Sequence, residues 1–258
     1  MNIHTLFNKI KKSDFSKFEF RESEWNSIKE YLKSHAKECY LKESEVVRFQ
    51  GMTLDERKEY LRTHILPSEG NKKSGDFGEI FSYIFIHHEY EGNRINLYGP
   101  KKWKWKQDKN SPAPYSDVVF FHMKDQNKPH SKDFILSLES KMAATQPSRD
   151  ENRIQQAIDG AEKDRVNRLA KTISWLETKY ERDNLQEELP IIRRFKDPTN
   201  QPYNRLYYAI AIFDILYTEN EISKGYSKPV DEIRLYILSI NDLQKLYEEY
   251  FAEVIDET

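Results

Sequence analysis

The sequence predicts an α/β (α+β) fold: a mixed central sheet flanked by helices, with a helical flank at the amino terminus. Three observations carry that expectation. Apolar runs rich in β-branched and aromatic residues, SDVVFF at 116–121, DFILSLESKM at 133–142, LYYAIAIFDILY at 206–217 and EIRLYILSI at 232–240, read as strands. Between the second and third, an inward stripe of helical period runs from Asn152 to about Glu181, as a crossover between strands requires. Ahead of the first strand, Trp25, Ile28, Tyr31 and Leu32 recur at helical spacing.

Composition bounds the rest. With 258 residues, 38% of them hydrophobic and 13% aromatic, the chain can bury one large core together with an appended helical part. The expected division is a helical flank over 1–70 and a main domain over 71–258. The 41 basic and 43 acidic side chains leave a formal net charge of -2, so any nucleic-acid contact must come from a local patch. The single cysteine, Cys39, excludes an internal disulfide framework and a cysteine-based zinc site, and fits a reducing cytoplasm. No apolar run approaches bilayer length and the amino terminus shows no leader pattern, so no membrane association is expected.

In chain order, the helix at 24–37 is followed by a second starting at Thr53, whose hydroxyl caps while Glu56 answers three residues later. LPSEGNKKSG is a polar link. A helix over 76–88, its start marked by Ser74, places Glu79, Tyr83 and His87 along one stripe beside Phe77, Ile80, Phe81, Ile84 and Phe85. The run Lys102, Trp103, Lys104, Trp105, Lys106, taken as a strand, puts both tryptophans on one face and three lysines on the other. That face is either a solvated hairpin arm or a stripe that tracks DNA phosphates. The long helix turns Ile154, Ile158, Ala161, Val166, Leu169, Ile173 and Leu176 inward, and a final helix starts at Asn241 or Asp242.

The candidate site lies at the ends of the first two strand runs. In DFILSLESKM, alternation puts Ile135, Ser137, Glu139 and Lys141 on one face and Phe134, Leu136, Leu138 and Met142 on the other. A carboxylate and an ammonium two residues apart at the end of an apolar strand call for a reason. Acidic, any, Lys recurs at Glu56 to Lys58 and Glu177 to Lys179, but in polar helical stretches where such charges are ordinary solvated pairs. With Asp117 opening the preceding strand and Glu79 on its helix, three carboxylates can converge with Lys141 if the strands are neighbours. Such a set suits a hard cation that keeps its waters. The rival is a buried ion pair of Lys141 with Glu139 or Asp117 and no chemistry. His87, His88, His122 and His130 raise a zinc alternative, but no HExxH spacing sets two of them on one helix face.

With Gly78 and Glu79 on a helix, Ser116 and Asp117 opening one strand, and Glu139, Ser140 and Lys141 closing the next, the chain resembles the PD-(D/E)xK nuclease superfamily. More narrowly it resembles the HamA family, the nuclease subunits of Hachiman anti-phage defence, with AbpA of the AbpA/AbpB pair as a near alternative. The resemblance covers most of the chain. It implies a restriction-endonuclease-like fold, DNA cleavage dependent on magnesium or manganese, and a HamB-like helicase partner. Carried over, it makes Asp117 and Glu139 metal ligands, Lys141 the catalytic lysine and Glu79 an assisting carboxylate. The departure is Ser116, where the superfamily motif carries proline. A catalytically silent adaptor of the same fold, binding helicase or DNA, and a small-substrate phosphoesterase are the alternative functions.

Overall fold

The computed structural model describes residues 2–199 and 201–256. The chain opens with two strands, β1 (Phe7–Lys11) and β2 (Ser16–Phe20). The helices α1 (Trp25–Tyr40), α2 (Glu43–Phe49), α3 (Leu54–Tyr60) and α4 (Gly70–Gly92) follow. Then come β3 (Val118–His122), β4 (Phe134–Ala143), α5 (Arg153–Lys163), α6 (Leu169–Arg182) and α7 (Leu189–Arg194). The chain continues through β5 (Asn204–Asp214), α8 (Ile215–Ser223), β6 (Ile233–Ile240) and α9 (Leu243–Asp256). The six strands form one mixed sheet in the order β1-β2-β6-β5-β4-β3. Parallel pairings join β2, β6, β5 and β4, and the two outer pairs, β1 with β2 and β3 with β4, are antiparallel.

The expected mixed sheet with flanking helices is present, but the expected flank over 1–70 is not purely helical. Residues 7–20 form two strands that extend the central sheet beside β6. Phe18 and Phe20 turn into the core while Glu19 stays partly exposed, the pattern of a strand near a sheet edge. β5 differs, being buried continuously from Tyr207 to Asp214, as a central parallel strand covered on both faces must be. Thr53 caps α3 in a reciprocal capping box with Glu56, and Asn152 caps α5 through its side chain.

Two hydrophobic cores lie on opposite faces of the sheet. One gathers residues of α1, α4 and α9 against Leu136, Leu138, Tyr208 and Ile210. The other gathers α5, α6 and α7 against Ile135, Tyr207, Ala209 and Ala211. The face alternation read for β4 therefore holds. α4 begins at Gly70, earlier than the Ser74 start, and its apolar residues are buried around most of its circumference because sheet and outer helices enclose it.

Two local readings need correction. Residues 102–105 form a 3-10 turn, not a strand, so Trp103 and Trp105 do not share a face. Trp103 enters the core of α4, while Trp105 enters the opposite core against Tyr180 and Trp175. In the long helix, residues Asp164–Arg168 form a π turn between α5 and α6. The wider turn shifts the inward stripe, so Val166 is 65% exposed while Leu169, Ile173 and Leu176 remain buried.

Candidate active site

β3 and β4 run antiparallel with Val118 opposite Leu138, so Asp117 and Glu139 stand side by side where the pairing ends. Asp117 Oδ2 accepts the Ser140 backbone N–H at 2.9 Å. The Lys141 ammonium donates to Glu139 Oε1 at 2.5 Å and lies 3.9 Å from Asp117 Oδ2, between the two carboxylates. Just upstream, Tyr115 adopts φ 64°, an uncommon conformation for a bulky residue, and this bend delivers Ser116 and Asp117 to the strand.

Glu79 arrives from the other face of the sheet. Its Oε2 accepts the Trp103 indole N–H at 2.9 Å, and its charge acts on Asp117 and Lys141 without a hydrogen bond to either. The structure thus gathers Asp117, Glu139 and Lys141 into direct contact and stations Glu79 behind them.

Two glycines allow helices to close on this end of β4. A Cβ at Gly160 of α5 would lie 2.3 Å from the Glu139 carboxyl carbon, and one at Gly78 of α4 would lie 3.0 Å from Met142 Cβ. Any side chain at Gly160 would push the helix off the carboxylate.

Further residues join the site that sequence reasoning did not single out. Arg168 pairs with Glu139 Oε2 and with Asp164 Oδ1, and its Nη2 donates to the Gly160 carbonyl at 2.9 Å. Asp164 also accepts the hydroxyls of Ser116, at 2.9 Å, and Ser137. Thr172 Oγ1 meets Ser116 Oγ at 2.8 Å. The available signal was a pair of opposite charges four residues apart, adjoining the apolar stripe of the long helix.

Two lysines of the 102–106 run are engaged within the protein. Lys102 is 1% exposed and donates to the carbonyls of Pro114, at 2.8 Å, and Ser116. Lys106 is paired at 2.5 Å with the buried Asp76, which Tyr40 also contacts. Lys104 is the member of the trio that stays partly exposed without being held in this way.

Charge is concentrated here with little water to screen it. Burial first, and then the neighbouring Glu139 charge, push the Asp117 carboxyl up to about 7. Burial, then Asp117 and Asp76, hold the Glu79 carboxyl well above the usual range. Burial lowers the affinity of Lys141 for its proton, but Asp117 and Glu139 outweigh it and leave the ammonium more basic than usual. Burial lowers the Lys102 ammonium despite the attraction of Glu79 and Asp117. Oxygen donors on adjacent strand ends, held close enough to oppose one another's ionisation, fit a hard divalent cation that would relieve the repulsion.

Among the described residues, His87, His88 and Glu91 also bring possible donor atoms within 4.8 Å of one another. His88 Nδ1 accepts the Ile3 backbone N–H at 3.1 Å, which leaves the ring proton on Nε2, facing Tyr31. That tautomer offers no lone pair to a metal. Cys39 is buried, and burial pushes its thiol up to about 12, so it is no nucleophile. No helix among the described residues is long and apolar enough to cross a membrane.

The HamA family model matches residues 2–254, and the chain belongs to that family, which associates it with Hachiman anti-phage defence. No curated protein matches the chain.

Proposed function

Starting from membership of the HamA family, we propose that the protein is a magnesium-dependent deoxyribonuclease, with manganese able to substitute. It acts as the effector of a two-protein defence complex whose other member is a HamB-like helicase. The observation that most supports this reading is the Lys141 ammonium held between Asp117 and Glu139 at neighbouring strand ends. Asp117 and Glu139 would hold the cation with Glu79 behind them, and the bound ion would activate water and polarise a phosphate oxygen.

The roles of the side chains follow from their charges. Lys141 keeps its proton at neutral pH, so it donates hydrogen bonds and is not a general base. Its side chain is 29% exposed, and its ammonium can orient the attacking water or offset charge on the phosphate as the P–O bond to the leaving oxygen breaks. Gly160 and Gly78 keep the flanking helices close and limit water around the pair.

The balance of 41 basic against 43 acidic side chains favours delivery to DNA by a partner over binding through a basic face of its own. Lys104 is the residue of the 102–106 run best placed to touch DNA.

Purified protein should degrade plasmid with magnesium and not with chelator, and Glu139→Ala or Lys141→Ala should remove that activity while the fold survives. A folded protein that cuts no DNA under these conditions, yet co-purifies with a helicase, would replace the nuclease by an adaptor.

A further inference from the structure

We propose that Arg168 is a positioning residue of this site, which fixes one oxygen of Glu139 and leaves the other toward Asp117. The proposal rests on reading Asp117 and Glu139 as metal ligands. Both oxygens of Glu139 face cations, but the two cations are held differently. Lys141 contacts Glu139 Oε1, the carbonyl of Ser140 at 3.3 Å and, more distantly, Asp117. A flexible stem carries its ammonium, which could move aside to free Asp117 and Glu139 for a metal ion.

Arg168 is anchored. Its planar fork spans Glu139 Oε2, Asp164 Oδ1 and the Gly160 carbonyl, so moving it would break three contacts at once. Asp164 in turn holds the Ser116 and Ser137 hydroxyls. Those serines lie one residue before Asp117 and two before Glu139. The Arg168–Asp164 pair therefore ties both strand ends to one helix.

Asp164 and Arg168 are the first and last residues of the π turn, and π turns are rare insertions that recur at functional sites. The widened turn is what brings both side chains to the sheet while Val166 points to solvent. The position of the superfamily's proline is also explained. Proline offers no hydroxyl, whereas Ser116 uses one to bond Asp164 and Thr172.

The test is manganese binding to the full-length, metal-stripped protein, read as free Mn2+ by electron paramagnetic resonance. The parent should bind, Arg168→Gln should bind at least tenfold more weakly, and Arg168→Lys should recover part of the loss. Excess Mn2+ should restore much of the Arg168→Gln cleavage rate, which a merely unfolded variant would not show. Arg168→Gln binding as tightly as the parent would overturn the proposal while leaving the metal site intact. Should Arg168→Gln fail to fold, Arg168→Lys decides alone, because its single ammonium cannot span Glu139 and Asp164, and parental affinity would overturn the proposal. A parent that takes up no Mn2+ would overturn the metal-ligand reading and this inference with it.

Discussion

β4 carries charge on one face and meets it across the other, and the two faces hold their carboxylates differently, Glu139 buried and Glu79 half-buried. On the α5–α6 face, Glu139 is paired with Lys141 and Arg168. On the α4 face, Glu79 has a neutral indole donor, and among the described residues it has no ion pair. Lys102 acts on it only through space. Burial raises the Glu79 carboxyl well above its usual range, and no cation offsets that at bonding distance. The difference separates a carboxylate clasped by two cations from one whose hydrogen-bond partner is a neutral indole. Asp117, its carboxyl pushed up to about 7, accepts a backbone N–H and lies 3.9 Å from the Lys141 ammonium.

The largest expected effect falls on the paired face. Glu139→Ala should lower DNA cleavage on the order of a thousandfold, measured on plasmid at saturating magnesium. Glu79→Ala reaching the same loss would erase the contrast between the faces. Next, Gly160→Ala should destabilise the fold by about 1–3 kcal/mol in urea unfolding, because its new methyl would collide with Glu139. A neutral result would mean that α5 can draw back from the site without cost.

Lys102→Met should cost about 1–3 kcal/mol by leaving the Pro114 and Ser116 carbonyls without their donor. It should leave the salt dependence of DNA binding unchanged, whereas Lys104→Ala should flatten it. A comparable effect comes from pH. The Asp117 carboxyl binds its proton more tightly in the folded than in the unfolded state, so the metal-free protein should be more stable in acid. This contribution should fall by up to about 1.4 kcal/mol per unit as pH rises from about 4 to 7, then level off. Asp117→Asn should remove that slope in urea titrations with chelator present. Smallest of all, Glu79→Gln keeps an acceptor for Trp103 and should change stability by less than about 1 kcal/mol.

The legible parts of the fold were those with strong local chemistry. The apolar runs at β3, β4, β5 and β6 became strands, and Thr53 and Asn152 cap helices as their side chains require. β1 and β2 were missed because short strands with Asn8, Lys9, Lys17 and Glu19 form only when β6 offers an edge. The alternating lysines and tryptophans at 102–106 read as a strand by period two, yet two cores on opposite sides claim one tryptophan each, and only a tight turn serves both.

The sequence by itself determined the alternation of β4 and the adjacency of Glu139 and Lys141, because a strand's side-chain period is a property of the backbone. It also marked Asp117 as the charge at the start of the neighbouring run. Only the tertiary structure decided that Arg168 and Asp164 lock the site and that Glu79 stands behind it on an indole. Those contacts join residues far apart in the chain, and a π turn, invisible to a period of 3.6, chose which helix residues face the sheet.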